Sequence, residues 1–151
     1  EEIKLLDNYL HLEKLRFKNR FSYDIKTSEK VDVYEIAIPP LLVQPYVENA
    51  VLHGISGREI GGEIAIYFEK KASYLEVHIV DNGKGINLEK EAEPSPKTHK
   101  SFGMSITQNR LELLSTSKEE KSVITKNIYD DEGQIVGTKV IIRIGLKKTL
   151  D

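Results

Sequence analysis

Residues 38–54 read Ile38-Pro39-Pro40-Leu41-Leu42-Val43-Gln44-Pro45-Tyr46-Val47-Glu48-Asn49-Ala50-Val51-Leu52-His53-Gly54. After the two prolines, apolar residues recur at helical spacing through Leu52, and Gly54 stands where such a helix should stop. Pro45 lacks a backbone donor, so it is predicted to kink this helix or make its first turn irregular. At about 100° per residue, Asn49 and His53 lie roughly 40° apart on one side. Val43, Val47, Ala50 and Val51 occupy the neighbouring arc and must face a core. The polar pair then sits at the margin of a buried surface, where an amide and an imidazole need partners. Two readings stay open here. Asn49 could offer its side-chain oxygen to a hard cation while His53 meets a phosphate, or both could be boundary residues satisfied by backbone groups.

Working outward, residues 1–18 carry Ile3, Leu6, Leu10 and Phe17 at helical spacing, with Leu5, Tyr9, Leu12 and Leu15 beside them. Apolar residues on so much of one helix predict packing on two sides, as in a linker or dimer helix. Phe21 to Lys26 alternates at strand period, and Thr27-Ser28-Glu29-Lys30 reads as a turn. Strands are predicted at Glu63–Phe68 and Tyr74–Val80, with Leu75, Val77 and Ile79 on one face. A polar stretch follows over residues 86–102, longer than the ~12–15 residues usual for a structureless connection, and such segments are commonly lids or binding loops. A helix from about Gly103 to Leu114 comes next. Strands near Ser122–Tyr129 and Thr138–Leu146, joined by the Asp130-Asp131-Glu132-Gly133 turn, close the chain. Strands and helices do not alternate strictly, so the predicted class is α+β: a mixed or antiparallel sheet with helices on one face.

The 151 residues suit one domain, and 30% charged with 39% hydrophobic residues is ordinary for a chain with its own core. A net charge of -2 argues against a nucleic-acid clamp, which carries a clear basic excess. No run approaches the ~18 apolar residues of a membrane span. With no cysteine, disulfides and zinc-thiolate sites are excluded, and His11, His53, His78 and His99 lack metal-ligand spacing. The chain starts at Glu1 and its only Met is Met104, so it is expected to be a piece of something longer.

Two further segments could carry chemistry. In Val80-Asp81-Asn82-Gly83-Lys84-Gly85 a carboxylate ends a buried strand, and two glycines leave space for a flat ligand against the backbone. An ionised Asp only accepts, which suits an exocyclic amine. The same letters also make a common turn, although no partner strand follows directly. In Lys100-Ser101-Phe102-Gly103-Met104-Ser105, a glycine at a helix start behind basic and hydroxyl residues offers N–H groups to phosphate. An ordinary N-cap with Ser101 as capping residue is the alternative.

Asn on a helix, Asp-x-Gly-x-Gly after a strand, a variable segment and then a glycine at a helix start together resemble the GHKL ATPases. Residues 38–54 resemble the N box of LytS-type sensor histidine kinases, I-P-P-x-L-L-Q-P-L-V-E-N-A-I-K-H-G. Tyr9 to Phe17 resembles the Y-L-x-I-E-x-x-R-F helix that leads into their ATPase domain, and Ser101 to Leu111 resembles their second glycine box. The resemblance runs over about residues 5–147. It implies a Bergerat fold, a two-layer sandwich with a flexible ATP lid. It implies residues 1–17 as the end of a dimerisation or linker helix and 18–148 as a GHKL-type ATP-binding catalytic domain. By the same resemblance Asp81 takes the adenine amino group, and Gly83 and Gly85 make room for the ring and the lid hinge. Asn49 would hold Mg²⁺ against the phosphates with His53 nearby, and Lys100, Ser101, Phe102, Gly103 and Met104 would line the triphosphate. Glu48, beside Asn49, is a candidate contact to Mg²⁺-bound water or within the catalytic domain.

The activity so implied is transfer of the ATP γ-phosphoryl to a histidine on an upstream segment, for relay to a response-regulator receiver domain. Homodimerisation through the upstream helix, a cytoplasmic location and membrane anchoring through an N-terminal region go with it; nucleic acid does not. Two departures stand out. Leu52 replaces the family's lysine, and the family's N-P-H-F-type acceptor segment is not among these residues, with His11 matching no acceptor motif. Competing readings are a GHKL ATPase that hydrolyses ATP, against which Pro45 stands where the water-activating Glu would sit, and a non-catalytic nucleotide-binding or dimerisation module.

Overall fold

The computed structural model describes residues 1–55, 59–86, 99–115 and 122–146, with the backbone alone for 99–104. Helix α1 spans Glu2–Arg16. Leu6 and Leu10, one turn apart, are fully buried, while Leu5, Leu12 and Leu15 on the other side are exposed. The helix is therefore apolar on two sides, and one of them faces solvent. Lys18 and Asn19 both take left-handed backbone, which turns the chain sharply into β1, Phe21–Thr27.

Helix α2 covers Gln44–Asn49 and continues as a π-helical stretch, Ala50–Ile55. Pro45 lies in the first turn, where a missing N–H costs nothing, so of its two expected effects the kink does not occur; in that turn the Val43 carbonyl accepts from both the Tyr46 and Val47 N–H groups. Gly54 does not end the helix, which runs through it to Ile55 because the wider π turn brings this backbone against the end of a neighbouring strand. The segment before α2 is held from a distance. Leu41 sits at φ 61°, strained for a leucine. Its N–H donates to Glu2 Oε2 at 2.8 Å and the Val43 N–H to Glu2 Oε1 at 3.0 Å. The buried Glu2 carboxylate of α1 thus serves as the cap that α2 lacks locally.

Strands β2 (Gly62–Lys70), β3 (Tyr74–Asp81), β4 (Val123–Tyr129) and β5 (Ile135–Gly145) complete a five-stranded sheet of order β1-β2-β3-β5-β4. β1 and β2 run parallel and every other pair antiparallel, so the sheet is mixed. The β4–β5 turn is stapled by Asp130, whose Oδ1 accepts the Glu132 and Gln134 N–H groups. β5 starts three residues before the expected Thr138, because backbone pairing continues from the turn whatever the side-chain pattern.

Helix α3, His99–Leu113, likewise starts before the expected Gly103. Alternate residues of β2, β3 and β5, including Ile64, Ile66, Val77, Ile79, Ile142 and Ile144, meet Leu6 and Leu10 of α1, Val47 and Val51 of α2 and Leu111 of α3 in one core. The three helices among the described residues therefore lie on one face of the sheet.

Candidate functional site

β3 ends at Asp81 on the core face, where period-2 alternation after Leu75, Val77 and Ile79 puts it. Its partners across the sheet are Ile64 on β2 and Thr138 on β5, and Thr138 in turn pairs with Asn127 on β4. A row of polar residues, Asp81, Thr138 and Asn127, thus closes one end of an otherwise apolar face. Asp81 is only 5% exposed, and its Oδ1 accepts the Gly83 N–H at 2.9 Å.

The end of the π stretch packs directly on this carboxylate. A Cβ on Gly54 would stand 2.7 Å from Asp81 Cγ and Oδ1, and one on Gly83 would overlap the Gly54 backbone. Backbone therefore lies on backbone, with the carboxylate wedged between helix and loop. Asn49 and His53 belong to the same α2–π segment, and both are exposed. The expectation placed them at the margin of a buried surface; the structure puts them on the solvent side, because Tyr46, Val47, Ala50, Val51, Gly54 and Ile55 take the buried side. π-helical turns recur at functional sites.

Gly85 takes left-handed backbone at φ 81°. Glu48, next to Asn49 in the chain, is half-buried, and its Oε1 accepts from Gln44 Nε2 at 3.1 Å. Burial foremost, then the charges of Glu13 and Glu48, push the Tyr9 hydroxyl of α1 well above the usual phenol range.

The side chains of Lys100, Ser101, Phe102 and Met104 lie outside what is described, and of Gly103 the backbone alone is described. Their backbone is helical, and this corrects one expectation. In a helix that begins at His99, the Gly103 and Met104 amides bond within the helix, and the free N–H groups are those of the first turn.

Thr138, Gly137 and Asn127 carry no site role in the sequence reading, and Gly54 figures there only as a helix stop and as the last residue of the N box. Thr138 and Asn127 each had a signal, being polar on strand faces shared with Val140 and Ile142 or with Val123. That Gly137 lets β5 approach the Asp81 carbonyl is visible only in three dimensions.

Two other features lie away from this end. Among the described residues, Glu69, Glu76 and His78 form a group with metal-ligand spacing on the opposite face of the sheet. Glu76 Oε1 is bonded to His78 Nε2 at 2.8 Å, Glu76 Oε2 accepts from Arg143 Nε at 3.1 Å, and Glu69 pairs with Lys71. Burial acts to raise the Glu76 carboxyl, but these hydrogen bonds and charges hold it below the usual range. The group is an ion network. A cavity of about 280 Å³ opens between the start of α1 and residues 31–40; Phe68 and Leu75, at the far ends of β2 and β3 from Asp81, line it.

No protein-family model matches the chain. It is 40% identical over 143 residues to the protein YwpD of Bacillus subtilis strain 168, covering 93% of this chain and 43% of that one. It is 33% identical over 151 residues to the sensor protein LytS of Streptococcus agalactiae serotype V, covering 95% of this chain and 24% of that one. The catalytic domain of the histidine kinase ThkA superposes with a TM-score of 0.63 at 20% identity, over 96% of this chain and 92% of that one. The chain is a GHKL domain of the LytS type. The α+β architecture of this LytS-type domain is thus the histidine kinase catalytic-domain fold. ThkA in complex with the response regulator protein TrrA also superposes, with a TM-score of 0.57 at 16% identity, over 99% of this chain and 40% of that one. The LytS-type domain spans less than half the length of these two curated relatives.

Proposed function

We propose that this LytS-type domain binds Mg-ATP and donates the γ-phosphoryl within a sensor histidine kinase, to a histidine outside these 151 residues. The observation that carries the proposal is the buried Asp81 carboxylate, bracketed by the Gly83 N–H and the Gly54 backbone at the open end of the sheet. An acceptor-only group in that setting suits the exocyclic amine of adenine. Asn49, exposed on the helix beside it, offers one neutral oxygen, which fits a Mg²⁺ that keeps waters and phosphate oxygens as its other ligands. The cation would supply charge neutralisation at the phosphates, where positioning and electrostatics do most of the work in phosphoryl transfer. His53, one turn from Asn49 on the same side, and the first turn of α3 would meet the phosphates, with Lys100 to Met104 beside them.

The same proposal covers the partners. The complex of ThkA with the response regulator protein TrrA supports a response regulator as the recipient of the phosphoryl group. The exposed Leu5, Leu12 and Leu15 of α1 support residues 1–17 as the tail of a dimerisation helix, with 18–148 as the ATP-binding domain proper. Among the described residues no helix is long and apolar enough to cross a membrane; anchoring of a cytoplasmic domain would fall to other parts of the protein.

Calorimetric titration tests the site. Wild type should bind Mg-ATP, and Asp81→Asn should weaken binding about tenfold or more, the scale of one charge-assisted hydrogen bond. Equal affinity in both proteins would defeat the assignment of Asp81. Labelled ATP given to the full-length protein should leave acid-labile phosphohistidine. Steady phosphate release without that adduct would favour a hydrolase.

A further inference from the structure

Asparagine is disfavoured in strands, yet Asn127 sits half-buried in β4 and spends both ends of its amide on one residue. Its Oδ1 accepts the Ile86 N–H at 2.8 Å, and its Nδ2 donates to the Ile86 carbonyl at 2.9 Å. That is the pairing a neighbouring strand would provide, made by a side chain instead. Ile86 directly follows Gly85, which lies so close that a Cβ there would be 2.8 Å from Asn127 Oδ1 and would overlap Ile135. The loop after Asp81 is therefore pressed onto the β4–β5 hairpin at its exit.

Its entry is held in the same way. Asn82 Oδ1 accepts the Glu63 N–H at 2.8 Å, and Asn82 Nδ2 donates to the Gly61 carbonyl at 2.9 Å. Two side-chain amides thus bracket the Asp81–Ile86 loop, one tying it to β2 and the other to β4. Asn127 is two strands away from Asp81 across Thr138, roughly 10 Å at the usual strand spacing. It acts through the loop.

We propose that Asn127 is a positioning residue of the nucleotide site, clamping the Ile86 backbone so that the Asp81–Ile86 loop is already ordered when ATP arrives. The inference rests on the nucleotide reading of Asp81. Its physical basis is preorganisation: a loop fixed beforehand does not draw its ordering cost from the binding energy.

The test compares wild type, Asn127→Ala and Asn127→Leu in the full chain. Leu keeps the side-chain volume over Gly85 and Ile135 while removing both hydrogen bonds. Three quantities are measured: affinity for Mg-ATP and Mg-ADP by calorimetry, residue-resolved amide exchange, and thermal midpoint. Both variants should bind each nucleotide about tenfold more weakly, the effect of losing one to two neutral hydrogen bonds. Exchange at Ile86 should speed up while Val77 and Ile142 in the core strands keep wild-type protection. A merely structural role would lower the midpoint and expose β4 amides without changing the affinity of the folded fraction, and that result overturns the proposal. So would unchanged Ile86 exchange, or variants that both fail to fold. If wild type itself binds neither nucleotide, the reading of Asp81 fails and this inference falls with it. That outcome is distinct from wild type binding and the variants binding equally well.

Discussion

Replacing Gly54 by alanine puts the helix and the site in direct opposition. Inside an ordinary helix this change stabilises by about 0.8–1 kcal/mol, because alanine loses less backbone freedom. In this chain the added methyl would stand 2.7 Å from Asp81 Cγ and Oδ1 and 3.1 Å from Oδ2, where ordinary contact begins at 3.4 Å. The carboxylate would have to retreat by about 0.7 Å. It has little room to do so, being buried, bonded to the Gly83 N–H, and at the end of a strand paired on both sides. Overpacking of this kind costs about 1–3 kcal/mol. Set against the propensity gain, the net loss runs from near zero to about 2 kcal/mol. At ~2–4 °C per kcal/mol for a chain of this size, the melting midpoint should fall by up to about 8 °C. Circular dichroism melts with urea titration read this directly, and Mg-ATP affinity should fall too because Asp81 has moved. A midpoint raised by the roughly 2–4 °C that helix propensity alone predicts would refute the apposition.

Three more outcomes follow from the packing. Glu2→Ala leaves the Leu41 and Val43 N–H groups without their acceptor and should cost about 2–4 kcal/mol in urea unfolding, while Glu2→Gln, which keeps one acceptor oxygen, should cost about half. Burial pushes the Tyr46 hydroxyl from 10.0 up to about 12. The folded state thus favours the neutral phenol, its contribution is whole below pH 10 and is lost as pH rises through 12, and Tyr46→Phe should flatten that alkaline fall by about 2–3 kcal/mol. Glu76 behaves oppositely: its folded value is depressed, so its contribution is present above the ordinary 4.5 and disappears as pH falls through the lower folded value. Glu76→Gln should therefore reduce the acid sensitivity of the melting midpoint below about pH 4.5, and an unchanged acid limb would show that the pairing with Arg143 and His78 contributes nothing.

Much of the architecture was legible because it rests on local periodicity. The alternation of Leu75, Val77 and Ile79 and the helical spacing of Leu6 and Leu10 each mark a face that must be buried, and these faces meet in the core. The two-sided apolar character of α1 was visible for the same reason. Helix ends were less legible, since they depend on partners far along the chain. The effect of Pro45 depends on whether it falls in the first turn, and Glu2, 41 residues before Val43, helps to decide where that turn begins. Gly54 has the look of a stop signal, whereas its missing side chain serves close approach to Asp81. Gly103 has the look of a helix start, but α3 begins at His99.

The sequence by itself determined that Asp81 ends a core-facing strand, that glycines follow it, and that Asn49 and His53 share one side of a helix. Those statements need only the periods of strand and helix. Only the tertiary structure decided that Gly54 lies on the Asp81 carboxylate, that Thr138 and Asn127 extend the row across β5 and β4, and that Asn127 grips Ile86. Strand register and backbone contact are set by packing between segments dozens of residues apart. No local pattern carries that information.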